Sequence, residues 1–139
     1  MRLDSARPEA GTLATVLRHD HRLIRNTPAA AAVARRYVGE ALADAPGRVV
    51  DDAALMVSEL ATNCVRYAHS DFTVSIEQSA GEVRVDVTDA GTAEVVMRDP
   101  GPTEPAGRGL RIVDQLADAW GVQQLVDDTG KRVWFTLRL

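Results

Sequence analysis

Between residues 49 and 87 the apolar side chains change their spacing once, and that change constrains the fold more than any other feature of the sequence. Ala53, Val57, Leu60, Ala61, Cys64, Val65 and Ala68 recur at steps of three and four, the spacing that gathers side chains on one face of an α-helix. Phe72, Val74 and Ile76 then alternate with polar residues, Ser79-Ala80-Gly81 turns the chain, and Val83, Val85 and Val87 alternate again. Alternation on both sides of a tight turn is the pattern of a β-hairpin with one buried face. A striped helix followed directly by such a hairpin leaves each element with an apolar surface that the other can cover.

The flanking segments extend the same architecture. Thr27-Pro28 supplies a capping hydroxyl and a proline suited to the first helical turn, so a first helix should run to about Ala45, bury Val33, Tyr37 and Ala41, and stop at Pro46-Gly47. The second helix should span about Val49 to Ala68. Upstream, Leu13, Val16, Leu17, Leu23 and Ile24 around His19-Asp20-His21 read as one or two short strands, whereas residues 1–11 are polar, lack a period and read as a loose end. From Gly91 to Gly107 the chain holds three glycines and three prolines, the composition and length of a functional loop. Leu110, Ile112, Val113, Leu116 and Ala117 form a third helical stripe that Gly121 should end. Val122 to Val126 and Val133 to Leu139 should close a last hairpin around Asp127-Asp128-Thr129-Gly130. The expected fold is an α/β two-layer sandwich over residues 12–139, with a mixed, mainly antiparallel sheet covered on one face by about three helices.

Composition narrows the functions such a domain can have. With 139 residues there is room for one domain. Sixteen Lys and Arg against 20 Asp and Glu give a net charge of −4, so no basic field holds a polyanion and nucleic acid is not expected as a direct partner. Cys64 is the only cysteine; it excludes an internal disulfide and a cysteine metal cage and fits a reducing cytoplasm. No apolar run is long enough for a membrane segment.

Three places in the chain carry residues suited to chemistry. Glu59 and Asn63 lie four apart on the second helix and project from one face, with Arg66 on the next turn. This is either a solvated charged face or a carboxylate that orients a proton beside an amide oxygen able to bind magnesium, an ion that takes one or two protein oxygens plus phosphates. Asp89 continues the core-facing series Val83, Val85, Val87, and a carboxylate aimed at a core needs a donor. Either Asp89-Ala90-Gly91 is a strand-ending turn whose backbone N–H groups serve Asp89, or Asp89 accepts from a ligand's amino group while Gly91 admits the ligand to the backbone. Gly107-Arg108-Gly109-Leu110 opens the third helix, where free N–H groups and a partial positive charge suit phosphate. No Walker pattern and no strand-linked Gly-x-Gly-x-x-Gly occurs.

In order and spacing these three sites resemble the GHKL ATPase superfamily, specifically the small anti-sigma regulatory factor branch with a histidine-kinase-like ATPase domain. Glu59 to Ala68 resembles its N box, Asp89-Ala90-Gly91 its first glycine box, and Gly107-Arg108-Gly109-Leu110 its second. The ending Leu116-Ala117-Asp118, Trp120-Gly121 and Gly130 to Phe135 is also similar to the family's. The resemblance implies a Bergerat-type ATP-binding fold with ATP and Mg2+ as cofactors. It implies that Asn63 holds the metal against the phosphates, that Glu59 is the catalytic base or proton orienter, and that Asp89 binds the adenine amino group. Gly91, Gly107, Arg108, Gly109 and Leu110 would surround the nucleotide. The branch contains serine/threonine protein kinases that phosphorylate an anti-sigma antagonist and sequester a sigma factor, often as homodimers; a nucleotide-binding interaction module without transfer is the alternative. Two departures are visible: Thr92-Ala93-Glu94 follows Gly91 without a further glycine, and Cys64 stands where an alanine is usual. Trp134 shares the strand face opposite Val133, Phe135 and Leu137 with Arg132 and Arg138, which suggests a contact face for a second copy or another protein.

Overall fold

The computed structural model of the chain describes residues 16–90, 105–126 and 129–139, the side chains of 105–108 excepted. Expectations for residues 1–15, for Gly91 and the loop after it, and for the Asp127-Asp128 tip lie outside the described residues. The element order is β1 (Val16–Ile24), α1 (Ala30–Ala41), α2 (Gly47–Asn63) continued by a π-helical turn (Cys64–Ala68), β2 (Phe72–Ser79), β3 (Glu82–Asp89), α3 (Pro105–Leu116), β4 (Ala119–Gln124) and β5 (Lys131–Arg138). Five strands form one sheet in the order β1-β2-β3-β5-β4, and every pairing among them is antiparallel. The expected two-layer sandwich is therefore present, with a purely antiparallel sheet in place of a mixed one. Because β3 and β4 both run against β5, they are parallel to each other, and α3 makes the crossover between them.

The core lies between the helices and one face of the sheet. Val74 and Ile76 of β2, Val83, Val85 and Val87 of β3, and Val133, Phe135 and Leu137 of β5 are all buried, as the alternation requires. Against them pack Ala53, Met56, Val57, Leu60 and Ala61 of α2, which has α1 on one side and α3 on the other. On α1 the buried row is Ala30, Ala34, Tyr37 and Val38, continued by Leu42, while Val33 and Ala41 are only partly covered. The stripe is thus rotated from the expected Val33-Tyr37-Ala41 line, because a run of alanines carries too little contrast to fix which face turns inward.

One further expectation is corrected. Gly121 does not end α3; it lies within β4 opposite Trp134. The helix ends earlier because the Asp118 N–H donates to the Thr136 carbonyl at 2.9 Å and its carboxylate accepts from the Arg138 N–H at 2.6 Å, tying the chain to β5. Where one or two short strands were expected, the structure has the single strand β1, and its polarity is inverted. Arg18, Asp20 and Arg22 share the face of their neighbours Ile76 and Val74, while Leu17 and Leu23 point to the open side, 66% and 54% exposed. The inward charges serve the exposed flank of α1: Arg18 Nη1 donates to the Ala41 carbonyl, and the Arg22 guanidinium lies 5.9 Å from the Tyr37 ring centroid. Burial, reinforced by the negative charge of Asp20, pushes the Tyr37 hydroxyl up to about 12.

Candidate functional site

Glu59 and Asn63 occupy the last turns of α2, both half-buried, one turn apart on the same face. The face is met by α3, with Gly109 against both residues. A Cβ at that position would stand 3.1 Å from Asn63 Nδ2 and 3.6 Å from both Glu59 Cβ and the Glu59 carbonyl oxygen. Glycine leaves the space beside the Asn63 amide open where the two helices approach. The N-terminal half of α3 is thereby set beside the Asn63 amide and the Glu59 backbone. Gly107 and Arg108 belong to the first turn of this helix, which begins at Pro105 and not at Gly107; the first N–H groups of a helix lack intrahelical acceptors and can meet an anion. The Leu110 side chain is in the core, 2% exposed, so only its backbone is available to a ligand.

After Asn63 the helix loosens into the π turn, a feature often found at functional sites. It closes at His69, whose left-handed backbone (φ 53°) brings its N–H to the Cys64 carbonyl at 3.0 Å. The wide turn leaves Arg66 and Tyr67 exposed and buries Cys64. The Cys64 thiol donates to Asp89 Oδ2 at 3.4 Å, so residues adjacent in sequence, Asn63 and Cys64, join the α2–α3 pair to the end of the sheet. Burial first, then the Asp89 carboxylate, holds this thiol well above the ordinary cysteine range; it is a neutral donor and no nucleophile.

Asp89 ends β3 on the core side, as its parity requires, with a side chain 4% exposed. Its Oδ1 is paired with Lys131 Nζ at 3.1 Å. The Ala90 N–H donates to Ser70 Oγ at 3.3 Å, which fixes the backbone beyond the strand. Gly130 presses on the other side: at φ 150° its missing Cβ would lie 2.0 Å from the Asp89 carbonyl oxygen, a space no side chain can share. Asp89 is thus held by a buried cation, a thiol and a closely applied backbone, which is more than a strand-ending turn needs.

Sequence reasoning assigned Glu59, Asn63, Gly109 and Asp89 to one site; the structure sets Gly109 against Asn63 and Glu59 and bonds Asp89 to Cys64, the chain neighbour of Asn63, and Gly91 lies outside the described residues. It missed Lys131 and Gly130. The signal was present, since Lys131 has the inward parity of Val133 and Phe135, and a lysine in a core-facing row needs a buried anion. The expectation for Trp134 is corrected: it does face the open side, but only 1% exposed, beneath the Arg84 guanidinium at 4.6 Å. Arg84 is in turn paired with Asp86 at 2.8 Å. A groove of about 320 Å³ on this open face, bordered by His19, Glu77, Asp86 and Arg132, lies across the sheet from Glu59, Asn63 and Asp89.

Among the described residues no group of three or more His, Cys, Asp or Glu side chains could hold a metal ion, and no helix is long and apolar enough to cross a membrane. Residues 24–137 match the profile of a family described as the histidine kinase-like ATPase domain. Among solved structures, the chain is similar to the crystal structure of the RsbU and RsbW domains of Rv1364c from Mycobacterium tuberculosis. The TM-score is 0.67 at 21% identity, over 88% of this chain and 32% of that one. The chain thus spans about a third of the length of the chain it matches. A search of curated protein sequences finds no match.

Proposed function

We propose, from the premise that the chain belongs to the histidine kinase-like ATPase domain family, that α2, α3 and the end of β3 hold ATP, with phosphates at Asn63 and Gly109 and adenine at Asp89. The observation that carries this reading is the seating of Gly109 against Asn63 and Glu59. A side chain there would fill the space beside the amide, whereas glycine leaves it to a ligand. The donor set also suits magnesium, which takes hard oxygens and keeps few protein ligands. Asn63 would hold the ion, and when bound the ion would neutralise phosphate charge during transfer.

The other residues act by position. The first turn of α3 directs backbone N–H groups and the positive end of the helix dipole toward phosphate. Asp89 offers Oδ2 to an amino group, since a ligand N–H is a stronger donor than the Cys64 thiol that faces it. Glu59, one turn before Asn63, would orient and accept the proton of an attacking hydroxyl. The N box and glycine boxes extend the proposal to a serine/threonine kinase that phosphorylates an anti-sigma antagonist, holds a sigma factor and works as a homodimer in the cytoplasm.

The test is incubation with γ-labelled ATP, Mg2+ and a candidate antagonist protein, in parallel with calorimetric binding of ADP. The expected result is binding by both wild type and Glu59→Ala, with label transferred only by the wild type. Binding by both with no transfer by either would replace the kinase with a nucleotide-binding interaction module.

A further inference from the structure

We infer that the free edge of β1 is a docking strand for an extended acidic segment of a partner protein. The inference does not depend on the nucleotide reading above. β1 ends the sheet and is nine residues long, with every residue except Ile24 exposed. Among the described residues only its β2 side is paired, so the other side presents a row of backbone donors and acceptors. The His21 N–H belongs to that row, since it is taken up by the Asp20 carboxylate of the same strand at 2.8 Å. By the alternation of an antiparallel strand, the backbone groups of His19 and Leu23 point the same way.

A long exposed edge is a template for another strand, and proteins blunt such edges with short strands, proline, lysine or inward charges. β1 is long and contains neither proline nor lysine. It does carry inward charges, and these indicate what pairs with it. Residues 16–36 hold five arginines and one acidic residue, 5 − 1 = +4, in a chain whose net charge is −4. Arg18 and Arg22 stand four apart on the inner face and are positioned by α1, Arg18 through the Ala41 carbonyl and Arg22 against the Tyr37 ring. Neither enters an ion pair among the described residues.

An incoming strand with two carboxylates four residues apart sets one opposite each arginine, and opposite charges across a ladder stabilise the pairing. On the open face Leu17 and Leu23, 66% and 54% exposed, bracket His19 and His21, so apolar residues at both ends of that strand would cover them. A second copy of this chain fits less well, because it brings an equally basic edge, and like charges destabilise a ladder.

The experiment is fluorescence anisotropy of a labelled peptide, Val-Glu-Thr-Thr-Thr-Glu-Val, titrated with the wild-type protein. Antiparallel to β1, it sets its glutamates opposite Arg22 and Arg18, its outer threonines opposite His21 and His19, and its valines beside Leu23 and Leu17. Binding should be saturable and should weaken roughly tenfold in the double variant Arg18→Glu/Arg22→Glu, and likewise between about 50 and 300 mM NaCl. N-methylation of the outer threonines, whose N–H groups face β1, should abolish binding; N-methylation of the glutamates, whose N–H groups face away, should not. A peptide with lysine in place of both glutamates should not bind. No binding of the glutamate peptide, equal binding of the lysine peptide, or indifference to the position of N-methylation overturns the proposal. Those three results need only wild-type protein and stand even if the double variant does not fold. A wild-type dimer by sedimentation that excludes the peptide assigns the edge to a second copy and overturns the proposal as well.

Discussion

Replacing Gly109 by alanine should separate folding from binding, because the two respond to different atoms of the same added methyl group. Gly109 is inside α3, where alanine is favoured over glycine by about 0.8–1.0 kcal/mol. Two of its new contacts, at 3.6 Å to Glu59 Cβ and the Glu59 carbonyl, are ordinary van der Waals distances. The third, at 3.1 Å to Asn63 Nδ2, is a few tenths of an ångström too close, and the amide is the end of a movable side chain. The fold should therefore keep its stability or gain up to about 1 kcal/mol, a Tm rise of a few degrees for a domain of this size. The amide, however, is displaced from the place where it meets the metal and phosphates. Losing one interaction with a charged group is worth about 1.5–3 kcal/mol, or roughly ten- to hundredfold in Kd. Differential scanning fluorimetry without nucleotide reads the first quantity, and calorimetry with ADP and Mg2+ the second. A variant that keeps its Tm and binds Mg·ADP with wild-type affinity would refute the placement of phosphate beside Asn63.

Other variants test the remaining contacts. Gly130→Ala should destabilise the fold by about 3 kcal/mol, since its Cβ position is 2.0 Å from the Asp89 carbonyl and the backbone must shift; a denaturation midpoint equal to wild type would show that the turn is not closely applied. Glu59→Gln should lower phosphoryl transfer about 10²- to 10⁴-fold while calorimetric ADP affinity stays within about threefold, and a parallel loss of binding would remove Glu59 from a purely catalytic role. Arg84→Ala removes the guanidinium over Trp134 and should cost about 1–2 kcal/mol with a red shift in tryptophan emission; an unshifted spectrum contradicts the stacked arrangement. Cys64 sets an alkaline limit: its folded pKa is raised above the unfolded value, so its contribution is complete below about pH 8.5 and is lost as pH rises through the folded pKa. Urea midpoints of the wild type should fall above about pH 8.5, and those of Cys64→Ala should fall less; equal slopes would place the thiol in water.

Much of this could be read from one sequence because periodicity and burial have the same physical cause. The stripe of α2 and the valine rows of β2 and β3 have strong apolar contrast, and those elements agree with their patterns. Where contrast is low the reading slipped, as on the alanine-rich α1. Where tertiary contacts override local chemistry it failed, as at Gly121, which looks like a helix stop but pairs with Trp134. On β1, for which no face was expected, Arg18 and Arg22 turn inward where α1 provides a carbonyl and a ring for them. In the candidate site, the shared helix face of Glu59 and Asn63 and the inward direction of Asp89 were legible from spacing and parity. Lys131 has the same inward parity, but its partner carboxylate lies on another strand and only the ladder shows the pair. Trp134 was misread for the converse reason: its cover, Arg84, comes from the neighbouring strand β3, and alternation assigns a face without showing what covers it.

Thermal denaturation of nucleotide-free protein with and without Mg·ADP tests whether Asn63, Gly109 and Asp89 surround a nucleotide site. At about one hundred times Kd, ligand that binds only the folded state adds roughly 2.7 kcal/mol, which should raise Tm by several degrees in the wild type and by much less in Asp89→Asn. An unchanged wild-type Tm at millimolar Mg·ADP would contradict the site, and an equal rise in Asp89→Asn would place adenine elsewhere.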